Sequence, residues 1–205
     1  MKASVAAVQN VVFDMGGVVL EWNPEKILAD FYTEAPLRSV LRHALFLHPD
    51  WRSFNRGGME EADLVQRVAL RSERPPQELA ALLDSMRESL VTKPATVELL
   101  RSLQRRGIPL YCLSDMPLSV YRYLRARHDF WDAFSGIVIS AEVGLLKPEP
   151  AIYRHLLTHH QLEPLRTVFI DDLPGNADGA RACGMRAIQF HDIEQVRKEL
   201  LPLLD

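Results

Sequence analysis

Residues 11–20 read Val11-Val12-Phe13-Asp14-Met15-Gly16-Gly17-Val18-Val19-Leu20. An apolar run without alternation is what a strand buried on both faces requires, and paired glycines let the chain turn sharply where that strand stops. Asp14 therefore falls at the C-terminal end of a strand, the edge of an open parallel sheet at which ligands bind. On this segment alone, a solvated aspartate in a turn is an equally good account, and the other strand ends have to decide.

Beyond residue 20 the pattern changes. Asn23-Pro24 is a helix start, with Asn23 as N-cap and Pro24 at the first helical position, and Ile27, Leu28 and Phe31 supply an apolar face. Residues 36–47, 60–70 and 76–90 also carry helical spacing, clearest at Leu79, Leu82, Leu83, Met86 and Leu90. With no strand-like run among them, residues 23–90 are predicted to form a helical cap, and residues 1–22 with 91–205 the core. Within the cap, residues 51–58 (WRSFNRGG) read as a loop, either an inter-helix turn with packed aromatics or a loop facing substrate.

From about residue 92 strands and helices alternate. Predicted strands at 108–113, 136–140, 167–170 and 186–190 are separated by helices at 94–106, 117–127, 150–160 and 177–183, with a last helix over 192–201. Gly107 and Gly184 stand where helix C-caps are expected. Such alternation implies right-handed crossovers and an α/β fold with a doubly wound parallel sheet. There is no internal repeat and no low-complexity segment.

The composition is that of an ordinary globular chain: 205 residues, 47% hydrophobic, 25% charged and a formal net charge of −3. It lacks the basic footprint of a nucleic-acid binder. The N-terminal MKASVAAVQN is broken by polar residues too soon for a leader or a membrane span. Cys112 and Cys183 form no spacing motif and sit in apolar surroundings, so two buried, reduced thiols and a cytoplasmic location are expected. A monomer or weak homodimer is expected as well.

In a parallel sheet Asp14, Ser114, Lys147 and Asp171-Asp172 all fall near one edge. Each alone has an ordinary explanation as a turn former, a solvated lysine or a helix cap, but four such coincidences are a poor accident. Together they suit phosphoryl transfer. Carboxylates from two strands favour a hard cation with oxygen ligands such as Mg²⁺, which offsets phosphate charge and lets a carboxylate nucleophile approach. A hydroxyl with backbone N–H groups holds phosphate oxygens, and a lysine adds a compact positive charge. A covalent aspartyl-phosphate is feasible on such a site.

At these residues the chain resembles the haloacid dehalogenase superfamily of hydrolases, in its form with a helical cap after the first strand. FDMGGV, YCLSD, the lysine of KPEPAIY and FIDDLPGNADGARACGM match its four motifs in order, over nearly the whole chain. The resemblance implies a Rossmann-like core, Asp14 as nucleophile, a Gly16 main-chain carbonyl on Mg²⁺, and Ser114 on the phosphate. It implies Lys147 bridging nucleophile and phosphate, and Asp172 as principal acidic metal ligand with Asp171 beside it. Asn176 falls where an acidic residue often stands behind the metal. The loop at Arg56-Gly57 resembles the cap loop of bacterial phosphatases of the α-D-glucose-1-phosphate type, which makes Arg56 a substrate-binding candidate and a sugar phosphate a candidate substrate. Arg52, Asn55 and Trp22 are further entrance contacts to consider.

Two departures bear on activity. Most phosphatases of the superfamily carry Asp two residues after the nucleophile as general acid/base, whereas this chain has Gly16, as does the branch it resembles. Glycine can supply a carbonyl but cannot move a proton, which favours leaving groups that need little protonation. Asp115 stands where Asn is usual, and a carboxylate beside phosphate is unfavourable unless protonated, turned away or near the cation; it is a candidate substitute for the missing acid and a substrate-side contact. The expected activity is Mg²⁺-dependent hydrolysis of a small phosphate ester. A catalytically weak phosphometabolite-binding or regulatory protein, and a metal-free 2-haloacid dehalogenase, are the alternatives.

Overall fold

The computed structural model describes residues 7–204. The stretch read as lacking a leader lies partly outside them, in residues 1–6. Among the described residues no helix is long and apolar enough to cross a membrane.

Five parallel strands, β1 (Asn10–Phe13), β2 (Leu110–Ser114), β3 (Gly136–Ile139), β4 (Thr167–Asp171) and β5 (Arg186–Gln189), form one sheet in the order β3-β2-β1-β4-β5. This is the predicted doubly wound α/β, Rossmann-like fold. The chain builds outward from β1 to β3, then crosses to the other side of β1 for β4 and β5. β1 thus stands beside the point where the strand order reverses, with its Val11, Val12 and Phe13 wholly buried.

Alternate strand residues face opposite layers. Val11, Phe13, Cys112 and Ile170 pack with α6 (Pro94–Arg105), α7 (Leu118–Arg127) and α11 (Ile193–Leu200), whereas Val12, Leu113 and Phe169 pack with α9 (Pro150–His159) and α10 (Pro174–Ala182). Cys112 is a buried free thiol as expected; Cys183, at the C-cap of α10, is half-buried instead, because that helix end reaches the surface.

Between β1 and α6 lie five helices: α1 (Pro24–Phe31), α2 (Ala35–Leu41), α3 (Pro49–Asn55), α4 (Glu61–Ser72) and α5 (Pro76–Ser89). A π-helical turn, Arg42–Phe46, prolongs α2. Asn23 caps α1 by accepting the Lys26 N–H at 2.9 Å. The stretch read as a loop, 51–58, is largely helical. His48 caps α3 through the Asp50 N–H at 3.2 Å, Pro49 starts it, and Trp51 and Phe54 pack in an aromatic cluster with Phe46 and Trp22. The helix start signal, Pro49, stands two residues before that stretch. Only Arg56-Gly57-Gly58 turns, with Gly57 at φ +80°.

The helical insertion leaves and rejoins the sheet through two paired segments. Glu21 donates its N–H to the Val91 carbonyl at 2.8 Å, and Lys93 to that of Val19 at 2.8 Å. α5 also packs on α7, and α3 on the short helix α8 (Ser140–Val143) that follows β3.

Candidate active site

The strand register brings Asp14, Ser114 and Asp171 to one edge. β1 pairs with β2 and β4, so the residue after Phe13 lies beside the ends of both, and the Asp14 N–H donates to the Ile170 carbonyl at 2.9 Å. Beyond Asp14 the chain folds into one tight turn: the N–H groups of Val18, Val19 and Leu20 all converge on the Met15 carbonyl at 2.8–3.3 Å. Gly17, at φ +77°, passes so close to Asp172 that a Cβ would lie 2.3 Å from its Oδ2. Only glycine allows this approach, and the Gly17 carbonyl is further held by Lys93 Nζ at 2.7 Å.

Lys147 reaches this edge from a distance in sequence. It does not follow β3 directly but comes after α8, through a turn with Gly144 at φ +70°. Its ammonium is buried and bridges Asp14 Oδ1 at 2.8 Å and Asp171 Oδ2 at 2.7 Å. Burial alone would lower the lysine pKa, but the charges of Asp14, Asp171 and Asp115 outweigh it and hold the amine protonated, well above its ordinary value. Burial pushes the Asp14 carboxyl well up; Lys147 opposes this, and Asp171 and Asp172 add to it.

Asp171 and Asp172 divide the work. The Asp171 side chain is fully buried and satisfied by Lys147, by the Leu173 N–H at 2.8 Å and by Asn176 Nδ2 at 3.0 Å from both oxygens. Asp172 is half-buried and lines the cavity. Carboxylate oxygens of Asp14, Asp171 and Asp172 lie within 4.8 Å of one another. Three carboxylates face one ammonium there, and two of them, Asp14 and Asp172, open onto the cavity. An all-oxygen donor set with surplus negative charge fits a hard divalent cation such as Mg²⁺.

A cavity of about 270 Å³ lies over this edge. Asp14, Gly16, Ser114, Asp115, Lys147, Asp172 and Asn176 all line it, so the structure brings together most of the residues singled out in the sequence. From the insertion side it is lined by Trp51, Arg52, Asn55, Met86 and Leu90, with Trp22 just before the insertion. Arg56 is not among them. Its guanidinium is turned to Glu149, with Nη1 at 3.0 Å from Oε2 and Nη2 on Oε1, and to the Gly144 carbonyl at 3.1 Å. That pairing, rather than a free charge over the cavity, is where the structure places this substrate-binding candidate.

Asp115 lines the cavity, but its carboxylate is turned toward the lysine loop, where it accepts the Lys147 N–H at 3.1 and 3.2 Å. Burial raises its pKa, countered by Lys147. The unusual acid thereby positions the main chain that carries Lys147.

Three supporting residues escaped the sequence reading. Ser140 is wholly buried, donates to the Asn55 carbonyl at 2.6 Å and accepts the Met116 N–H at 2.9 Å, joining α3 to the core. Glu149 receives both Arg52 and Arg56, and Lys93 anchors Gly17. Glu149 lies inside the KPEP motif, the one signal that could have drawn attention to it.

The sheet order, the inserted helices and the lysine-bridged aspartates define a hydrolase fold and site, and residues 8–184 match the model of the haloacid dehalogenase-like hydrolases. The chain belongs to that family. It is 31% identical, over 94% of its length and 95% of the relative's, to a sesquiterpene phosphatase of Aspergillus oryzae. Among solved structures it is similar to a haloacid dehalogenase family enzyme of Bacteroides thetaiotaomicron, in complex with magnesium and inorganic phosphate, with a TM-score of 0.75, 19% identity and coverage of 92% and 98% of the two chains. It is also similar to the L-2-haloacid dehalogenase of Xanthobacter autotrophicus with chloropropionic acid covalently bound, with a TM-score of 0.68, 17% identity and coverage of 95% and 83%.

Proposed function

We propose that this chain is a Mg²⁺-dependent phosphatase that transfers a phosphoryl group from a small organic phosphate ester to Asp14 and then to water. The observation that carries this reading is the Lys147 ammonium held at 2.8 Å from Asp14, with Asp172 opening onto the same cavity. A buried carboxylate with surplus negative charge beside it is poised for a cation and a phosphate, not for a neutral substrate. The full-length relationship to a phosphatase supports the same chemistry.

Asp14 and Asp172, with the Gly16 carbonyl, would hold the cation, whose chemistry is to offset charge on the phosphate oxygens. An Asp14 carboxylate oxygen attacks phosphorus in line with the ester oxygen; the P–O bond breaks and its electron pair leaves with that oxygen. The Ser114 hydroxyl and the Lys147 ammonium bind the equatorial phosphoryl oxygens. Water then attacks phosphorus, freeing inorganic phosphate and restoring Asp14. Asp115 keeps Lys147 in register, and Asn176 keeps Asp171 turned toward the lysine.

Asp14→Asn is expected to abolish hydrolysis of an aryl phosphate such as p-nitrophenyl phosphate, and chelation to do so reversibly, as followed by phosphate release. Activity surviving either change overturns the mechanism. Tight phosphate-ester binding without turnover in the Mg²⁺-loaded wild type would favour a binding or regulatory protein.

The structural likeness to a dehalogenase keeps a second reading in view, tested by halide release from 2-chloropropionate. The paired acids Asp171 and Asp172 weigh against it, since a metal-free site that takes a carboxylate substrate gains nothing from them. A sugar phosphate, the substrate class suggested by the glucose-1-phosphate branch, is disfavoured by the many apolar side chains in the cavity wall, whereas the sesquiterpene of the Aspergillus relative's name has a hydrocarbon body.

A further inference from the structure

The cavity over Asp14 has two unlike sides. Four of the five charged lining residues, Asp14, Asp115, Lys147 and Asp172, crowd the sheet edge, and the fifth, Arg52, stands on α3. The cavity's apolar lining includes Leu20 and Met116, from the turns that follow β1 and β2, and Met86, Leu90, Val120 and Leu124, from two facing helices. Each of these six side chains is 6% exposed or less although it lines the cavity, so this wall is closely packed and sheltered from bulk water, and a tail seated against it displaces its side chains instead of filling open space. Met86 and Leu90 come from α5 and its C-cap, and Val120 and Leu124 from α7, two helices that pack together from the insertion and the core. At the outer rim Trp22 and Trp51 lie face to face, with ring centroids 6.0 Å apart and planes within 8°. Both also line the cavity, and the Trp22 indole covers the side of Gly16 on which a side chain would project.

We propose that the ester hydrolysed here has an apolar, hydrocarbon-like body that binds tail-inward in the slot between α5 and α7, with its phosphate at Asp14 and the indole pair covering the link between them. The proposal rests on the phosphatase reading and adds the substrate class to it. A polyhydroxylated body would give up its hydrogen bonds to water on entering a recess with no donors or acceptors among these six side chains, whereas each methylene buried there is a gain. Of the polar groups of α3, Arg52 bonds Glu149, two residues beyond Lys147, at 3.3 Å, and the Asn55 carbonyl is held by Ser140 just after β3, which ties both to the end of the cavity that carries the lysine.

The test is calorimetric titration of Mg²⁺-loaded wild-type protein with ethyl-, butyl-, hexyl-, octyl- and decylphosphonate, alongside glucose 6-phosphate, with hydrolysis of p-nitrophenyl phosphate measured on the same preparation. Affinity is expected to rise by up to about fourfold per methylene until the slot is full, and hexylphosphonate to bind about tenfold or more tighter than glucose 6-phosphate. Val120→Phe is expected to bring the plateau to a shorter chain, and Leu90→Phe, filling the slot from the facing helix, to do the same if the first variant does not fold. A chain-length series that is flat, a plateau unmoved in both variants, or glucose 6-phosphate binding as tightly as hexylphosphonate overturns the proposal. A flat series with aryl phosphate still hydrolysed removes the slot and leaves the phosphatase standing; a steep series with no hydrolysis of aryl or alkyl phosphate removes the phosphatase reading on which the proposal rests.

Discussion

Gly16 and Gly17 are neighbours under opposite constraints. A Cβ on Gly17 would collide with Asp172, so glycine there is a condition of the site's geometry. A Cβ on Gly16 would sit 3.5 Å from the Trp22 Cβ, an ordinary contact, so a side chain can start there, although it then has to pass the indole. Gly16→Asp is therefore expected to fold and to place a titratable group on the leaving-group side. Because a general acid contributes typically 10²- to 10⁴-fold, the variant should hydrolyse alkyl phosphates about tenfold or more faster, with aryl phosphates much less affected. The measurement is kcat over a series of esters graded by leaving-group pKa, where the slope should flatten. Both Asp115 oxygens face the Lys147 N–H in this arrangement, so serving as such an acid would require that carboxyl to leave this bond.

Among the elements, α3 shows where sequence reading fails and why. Its seven residues offer too short a window for periodicity, and the arginine and glycines that follow resemble loop punctuation. It is helical because tertiary partners hold it: Asp50, buried near its N-terminus, takes Arg71 Nη1 at 2.6 Å and Arg67 Nη1 at 3.4 Å from α4. Burial raises the Asp50 pKa, but the hydrogen bond and charge of Arg71, with His48 and Arg67, bring it below the ordinary carboxylate value. The folded state then binds the proton less well than the unfolded one, so this stabilisation is present above pH about 4 and is lost as pH falls through the depressed value. The Tm difference between wild type and Asp50→Asn should accordingly be largest near neutrality and narrow below pH about 4, as read by thermal unfolding across that range. By contrast, the strands and the charged residues at their ends were legible, because unbroken apolar runs such as Val11-Val12-Phe13 can be buried only inside a sheet, and a parallel sheet aligns their C-termini. What could not be read was orientation: that Arg56 turns to Glu149, and that Asp171 is saturated by three partners while Asp172 faces the cavity.

For the molecule as a whole, the insertion is clasped to the core beside the lysine loop. Glu149, two residues after Lys147, receives Arg52 at 3.3 Å and Arg56 at 3.0 Å, both anchored on α3 or its C-cap. A displacement of α3 is thus transmitted to the segment that carries the site's ammonium. Glu149→Gln is expected to loosen this clasp without unfolding the sheet. Hydrogen–deuterium exchange should speed up in residues 49–58 and 140–149, and KM for an aryl phosphate should rise several-fold with a smaller change in kcat. Unchanged exchange in both segments would show that the clasp is not what seats the insertion.

The ribbon formed by Glu21 with Val91 and Val19 with Lys93 has a consequence for how such a protein diversifies. The two points at which the chain leaves the sheet layer and returns to it stand one hydrogen bond apart, and Lys93 ties the returning segment to the Gly17 carbonyl in the turn after Asp14. Whatever is spliced between them needs to span no distance of its own. A helical cassette of different length or face can therefore replace this one and present new walls to the same Asp14, while the strand register that places the aspartate is left untouched.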